Sequence, residues 1–196
     1  MPDHDGAPSA PDFLTKPTLN GELVLLRPVT VDDVPALWPM FLDAEAMRLT
    51  GSHDGEPDEA GIRAWYDSRG DQDDRLDLAV VERATGKVVG EVVLNEWDSG
   101  NESCSFRICL VPGTFGQGLG TEATRLIVGY GFERLGLHRI SLEVYAFNPR
   151  AHRVYTKVGF VPEGVQRDAL LWEGERVDAV TMSVLAPEWS RHRGRP

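Results

Sequence analysis

Cysteine is scarce in this chain, with two in 196 residues, Cys104 and Cys109. They stand five positions apart in CSFRICLV, which reads as a strand, so their side chains point to opposite faces about 17 Å apart and cannot pair. No His, Asp or Glu stands at ligand spacing around them, so neither a disulfide nor a structural metal is expected. Long apolar runs are missing as well. Nothing approaches the ~20 consecutive apolar residues of a membrane-spanning helix. The opening MPDHDGAPSAPDF lacks the basic-then-apolar order of a secretory signal, so a cytoplasmic protein without a membrane partner is expected. Positive charge is in short supply: 20 Lys and Arg against 31 Asp and Glu leave a net charge of -11. That excludes an electrostatic footprint for nucleic acid. No Gly-Lys-Ser/Thr follows a glycine loop, which excludes a Walker-type nucleotide site.

What is present reads as one domain. Pro2, Pro8, Pro11 and Pro17 lie among Gly, Ala, Ser and Asp, a composition that buries little, so residues 1–18 are expected to be a disordered tail. A single domain over 19–187 and a basic tail over 188–196, with Arg191, Arg193 and Arg195, complete the expected organisation. ELVLLRP reads as a strand. Thr30 and Asp33 resemble a capping box that opens a helix running to about Leu49, with Leu37, Trp38, Phe41 and Leu42 as its apolar stripe. A second helix starts at Pro57, carries Ile62, Trp65 and Tyr66, and ends at Arg69-Gly70. The period then changes. DLAVVER, VVGEVVLNEW and ESCSFRICLV, joined by short turns, predict three antiparallel strands. PGTFGQGLGTEA leads into a helix to about Leu135, followed by a strand at HRISLEVYAF, a helix at PRAHRVYTKVG and a strand pair near Gln166–Trp172 and Glu175–Leu185. The fold class is therefore α/β, a mixed sheet with one glycine-rich strand-to-helix turn.

In that turn Gly116, Gly118 and Gly120 alternate ahead of a helix, which would leave backbone amides free at the positive end of the helix dipole. Such a turn suits an anion, most naturally a phosphate; a glycine-rich connection that binds nothing is the plain alternative. Gly118-x-Gly120-x-x-Ala123, with Glu143 20 residues further on, also matches a dinucleotide fingerprint. The hairpin-linked strands before the turn argue against that reading, as does the position of Glu143 inside a strand.

GQGLGTEATRL, then HRISLEVYAFN, then N-x-R-A-x-x-x-Y-x-K-x-G-F across Asn148–Phe160 resembles the GNAT superfamily of acetyl-CoA-dependent N-acyltransferases, in particular its RimJ/RimL-like branch. ELVLLRPVTVDDVPALW is similar to that branch's opening, so the resemblance covers about residues 21–185. It implies a mostly antiparallel sheet with helices on both faces, whose fourth and fifth strands splay apart to take coenzyme A. The pyrophosphate would lie on Gly116, Gln117, Gly118, Gly120 and Thr121, and the pantetheine arm on backbone groups of Ile108, Leu110 and Val111, with Asn148 beyond. Phe115 stands where the superfamily often has Arg or Gln, so no basic contact is expected from that position. Arg153, with Arg150 and Lys157, would meet the cofactor's 3′-phosphate or form a solvated helix face.

The resemblance makes Tyr155 the general acid for the departing thiolate, against the plain reading of a core aromatic. The base is open. Ser105 occupies the position where some members carry glutamate, leaving Glu91, Glu96 and Glu143 as candidates. Direct attack in a ternary complex is expected, because neither cysteine has an activating neighbour. No metal is implied. Candidates for the acceptor wall are Trp38, Phe41, Met47, Trp65, Tyr66 and Trp172. Asp54, Glu56, Asp58, Glu59, Asp67, Asp71, Asp73, Asp74 and Asp77 against three arginines would favour a cationic acceptor if they border its entrance. The expected activity is acetyl transfer to a primary amine, either a protein or peptide N-terminus or a small cationic molecule. Homodimerisation is an expectation from the family alone. A catalytically silent coenzyme A-binding module is the alternative in a different class.

Overall fold

The computed structural model describes residues 11–52 and 56–192. Two short strands open it, β1 (Leu19–Asn20) and β2 (Val24–Pro28). The single helix expected after them is divided into α1 (Val34–Leu37), α2 (Pro39–Leu42) and α3 (Ala44–Thr50). Pro39 has no amide proton to continue the ladder, and Asp43 leaves helical geometry to cap α3, its Oδ1 accepting from the Ala46 amide at 2.7 Å. The helix α4 (Glu59–Asp67) follows, capped by Asp58. The remaining elements are β3 (Leu76–Glu82), β4 (Val88–Asp98), β5 (Ser103–Leu110), α5 (Leu119–Glu133), β6 (Arg139–Tyr145), α6 (Pro149–Val158), β7 (Val161–Trp172), β8 (Glu175–Leu185) and α7 (Ala186–His192).

The eight strands form one sheet in the order β1-β2-β3-β4-β5-β6-β8-β7. Every neighbouring pair is antiparallel except β5 and β6, which run parallel and pair only from Ser103↔Arg139 to Ser105↔Ser141. Beyond Ser105 the two strands diverge, while β5 stays paired with β4 as far as Gly90↔Leu110. That leaves one side of β5 open over its last residues. The antiparallel run before the glycine turn also removes the dinucleotide-fold alternative, which needs parallel strands there.

Strand alternation sends side chains to two cores. Val92, Leu94 and Phe106 share a core with Ile127 of α5 and with Tyr155 and Val158 of α6. Ala79, Cys109 and Val111 pack on the opposite face beneath Leu37, Met40 and Tyr66. The glycine turn is tied to β2 by Glu122 in the first turn of α5. Its carboxylate accepts from the amides of Glu22, Leu23 and Val24 at 2.7–2.8 Å.

Both expected tails extend less far than the composition suggested. Phe13 is 2% exposed and packs on Trp97, with ring centroids 5.5 Å apart. Lys16 donates to the carbonyls of Gln72 and Arg75 at 2.6 and 2.8 Å. A buried aromatic is worth about 1.5–3 kcal/mol, and the two Lys16 bonds add to what ties this segment to the domain. At the other end Trp189 of α7 is buried against Phe132, and its indole donates to Glu133 at 2.9 Å. Residues 1–10 and 193–196, with Arg193 and Arg195, lie outside the described residues. Among the described residues no helix is long and apolar enough to cross a membrane.

Candidate active site

Two cavities meet at the open side of β5. The first, of about 310 Å³, lies between the diverging β5 and β6 and is closed by the glycine turn and α6. The second, of about 670 Å³, lies under α2, α3 and α4 against β4 and β5. Thr50 and Cys109 line both.

Backbone direction explains what the first cavity offers. The Val111 amide donates to the Val89 carbonyl at 2.8 Å, so Val111 is turned toward β4 and is not available to a ligand, contrary to expectation. Alternation then turns the backbone groups of Leu110 and Ile108 toward the diverging side. Both residues line the first cavity, where no strand takes up their hydrogen bonds. Gly116, Gly118, Gly120 and Thr121 line it too, whereas Gln117 is exposed and outside it. Gly118 caps α5 with φ 85°, a conformation that favours glycine. A Cβ on Gly120 would stand 3.3 Å from Leu110 Cδ1, so glycine lets the helix start close against the strand. These amides and the diverging strand fit an extended ligand with a phosphate at one end.

On α6, Asn148 borders the first cavity and its Oδ1 caps the helix, accepting from the Ala151 amide at 3.0 Å. One end of its side-chain amide is thus committed to the cap. Arg150, Arg153 and Lys157 line the cavity mouth. The Arg150 guanidinium sits 4.0 Å from the centre of the Phe115 ring and 3.6 Å from Glu45. Phe115 therefore supplies no charge but seats one. Deeper in, Tyr155 is 8% exposed and lies edge-on to Phe106. Burial, and then the neighbouring Cys109, pushes its hydroxyl above the ordinary tyrosine value, so it holds its proton.

The three candidate bases part company. Glu96 sits in the irregular stretch between Asn95 and Asp98 with φ 55°, and its carboxylate accepts from Ser105 Oγ at 2.6 Å. It lines neither cavity, because the bulge turns it away. Glu143 borders the first cavity, exposed and hydrogen-bonded by Gln166. Glu91 lines the second cavity directly across the ladder from Cys109. Its Oε2 accepts from the Tyr66 hydroxyl at 2.8 Å, and its Oε1 faces Arg107 at 3.9 Å. Burial pushes the Glu91 carboxyl upward against the opposing pull of Arg107 and Tyr66, which makes it a stronger proton acceptor than an ordinary carboxylate. Cys109, with burial and Glu91 beside it, has its thiol pushed up to about 12 and is no thiolate at neutral pH.

Of the expected acceptor wall, Phe41, Met47, Trp65 and Tyr66 line the second cavity, whereas Trp38 and Trp172 do not. Trp38 packs in the second core instead. Among the described residues the acidic run reaches the cavity through Glu56 and Asp58. Asp71, Asp73 and Asp74 are exposed elsewhere, Asp77 is buried in a two-bond pair with Arg75, and Asp54 lies outside the described residues. Arg107, Cys109 at the junction and the Tyr66 contact to Glu91 were not anticipated as functional features. The register between β4 and β5 sets Cys109 and Arg107 beside Glu91, and the packing of α4 on that face brings in Tyr66.

The family model described as an acetyltransferase (GNAT) domain matches residues 24–161. The spermidine N(1)-acetyltransferase of Escherichia coli K12 is 29% identical over 175 residues, 88% of this chain and 91% of its own. The uncharacterized N-acetyltransferase YoaA of Bacillus subtilis is 25% identical over 178 residues, covering 87% and 98%. Among solved structures, a GCN5-related N-acetyltransferase from Brucella melitensis superposes with a TM-score of 0.76 at 26% identity, over 94% of this chain and 86% of its own. The fold is also that of a spermidine N-acetyltransferase from Vibrio cholerae in complex with CoA and spermine, with a TM-score of 0.79 at 22% identity, over 87% and 99%.

Proposed function

Because the chain belongs to the GNAT acetyltransferase family, we propose that it carries the acetyl group of acetyl-CoA to a primary amine by direct attack where the two cavities meet. The supporting observation is the position of Cys109 on the wall of both, with Glu91 on the acceptor side and Tyr155 on the donor side. In this reading the amides of Gly118, Gly120 and Thr121 hold the pyrophosphate, with Gly116 allowing close approach. Ile108 and Leu110 pair with the pantetheine arm as an added strand would. Asn148 and Arg153 complete the donor site.

The amine arrives through the second cavity, and Glu91 accepts its ammonium proton. The freed nitrogen attacks the thioester carbon, the carbon–nitrogen bond forms and the carbon–sulfur bond breaks. Tyr155 gives its hydroxyl proton to the departing sulfur, and the second proton of the attacking nitrogen returns the phenolate to its neutral form, so that neutral amide and free thiol are the products. An acceptor bearing a primary amine is also what the relatives' names support, since one is named for spermidine. Calorimetric titration with acetyl-CoA, CoA and NAD, followed by thiol release against peptides, amines and polyamines, tests the proposal. Acetyl-CoA should bind and release thiol only when an amine is present. Binding of NAD alone, or no release with any amine, contradicts it.

A further inference from the structure

The second cavity carries a feature that a simple amine does not need. Its floor includes Glu91, Arg107 and Cys109, which share one face of the sheet with the buried Asp77. Asp77 of β3, Val93 of β4 and Arg107 of β5 stand in one row, and Ala79, Glu91 and Cys109 in the next. Arg75 is satisfied by both oxygens of Asp77 at 2.7 and 2.8 Å. Arg107 has no such partner. Its side chain is 50% exposed into the cavity, makes no hydrogen bond among the described residues, and has Glu91 Oε1 at 3.9 Å, beyond hydrogen-bond range. Arg69 adds a further cation beside the same wall. It stacks 4.2 Å from the centre of the Trp65 ring and donates to the Trp65 carbonyl and Ser68, with no carboxylate in contact. Asp74, which is exposed, and Lys16, which donates to the Arg75 carbonyl, are further charged groups near Arg69 and Arg75.

Above this floor the walls are Met40, Phe41, Met47, Ile62 and Trp65, and among the described residues carboxylates return at Glu56 and Asp58. Asp58 is partly committed to capping α4. An acceptor with several ammonium groups would set one of them near Arg107, which is unfavourable, and among the described residues could pair another only with Glu56 or the cap residue Asp58. A guanidinium fork beside the base suits a planar anion close to the reacting nitrogen.

We propose that the acceptor is an amine carrying a carboxylate next to it, as in an α-amino acid with an apolar side chain, its amine at Glu91 and its carboxylate on Arg107. This rests on the second cavity being the acceptor site of the proposed acetyl transfer. The test is kcat/KM by thiol release for leucine, methionine and phenylalanine against the three amines that lack the carboxylate, with spermidine alongside. It is run on the wild type, Arg107→Gln and Arg107→Lys. Amine basicity differs within each pair, but that difference cancels when the amino acid-to-amine ratio is compared between proteins. A charge-assisted fork predicts a ratio that falls roughly 10- to 100-fold in Arg107→Gln and is partly restored in Arg107→Lys. A ratio unchanged by both substitutions overturns the inference. Turnover of spermidine or the bare amines with none of the amino acids also overturns it while leaving the acetyltransferase proposal standing. Absence of release with every amine brings down the proposal beneath it.

Discussion

Replacing Glu91 with glutamine separates chemistry from stability. Glutamine has nearly the same shape, and its carbonyl can still accept from the Tyr66 hydroxyl that lies 2.8 Å from Oε2. What it loses is the ability to take a proton. Without a base only the neutral amine in solution can react. At pH 7 that is on the order of one molecule in 10³ to 10⁴ for an alkylamine of pKa about 10.4, and roughly one in ten for a peptide α-amine of pKa about 8. Glu91→Gln should therefore lower kcat/KM about 10³-fold with an alkylamine and about tenfold with a peptide N-terminus. The deficit with the alkylamine should shrink roughly 100-fold between pH 7 and 9.

Stability should move the other way. Burial raises the folded-state value of this carboxyl, so its favourable contribution exists while it is protonated and is lost as pH rises through the unfolded and then the folded value. Glutamine carries no charge at any pH, so the variant should melt at the same temperature as the wild type or higher, by a margin that widens as pH rises. Steady-state thiol release across pH, paired with thermal melts, reads both effects. Full activity in a variant with a lowered Tm would refute the reasoning on both counts.

Tyr155→Phe keeps the packing on Phe106 and Phe160 but removes the acid. It should reduce kcat about 10²- to 10⁴-fold while the calorimetric affinity for CoA changes little. Cys109→Ala should retain turnover within a few-fold and show no acetylated enzyme by mass spectrometry, because the thiol at about 12 is not a nucleophile at neutral pH. Glu122→Ala strands three backbone amides. A loss of roughly 2–4 kcal/mol, or a Tm lower by about 5–12 °C, is expected by thermal melting.

Local signals carried much of the architecture. Short Val- and Leu-rich runs bounded by turn residues from Leu76 to Leu110, and the glycines at 116, 118 and 120, mark the strands and the turn, because strand propensity and, at Gly116 and Gly118, positive φ restrict which residues fit. The division of the first helix was written in Pro39 and Asp43, yet the apolar stripe Leu37, Trp38, Phe41 and Leu42 masks it. Phe13 and Trp189 sit in polar or proline-rich neighbourhoods, so composition gave no sign that tertiary contacts hold them. The base was the least legible feature. Glu91, Glu96 and Glu143 are all strand glutamates, and what separates them is a bulge after Asn95 and a register that sets Glu91 across from Cys109. Val111 was misjudged by one step of alternation, since its amide faces β4 and those of Ile108 and Leu110 do not.

The most direct test of acetyl transfer between Glu91 and Tyr155 is a crystal structure with CoA and an acetylated amine bound together. The account expects the pyrophosphate on the amides of Gly118, Gly120 and Thr121, the sulfur within hydrogen-bond distance of the Tyr155 hydroxyl, and the product nitrogen facing Glu91 in the second cavity. A sulfur remote from Tyr155, or a product amide outside the cavity that Glu91 lines, would contradict it.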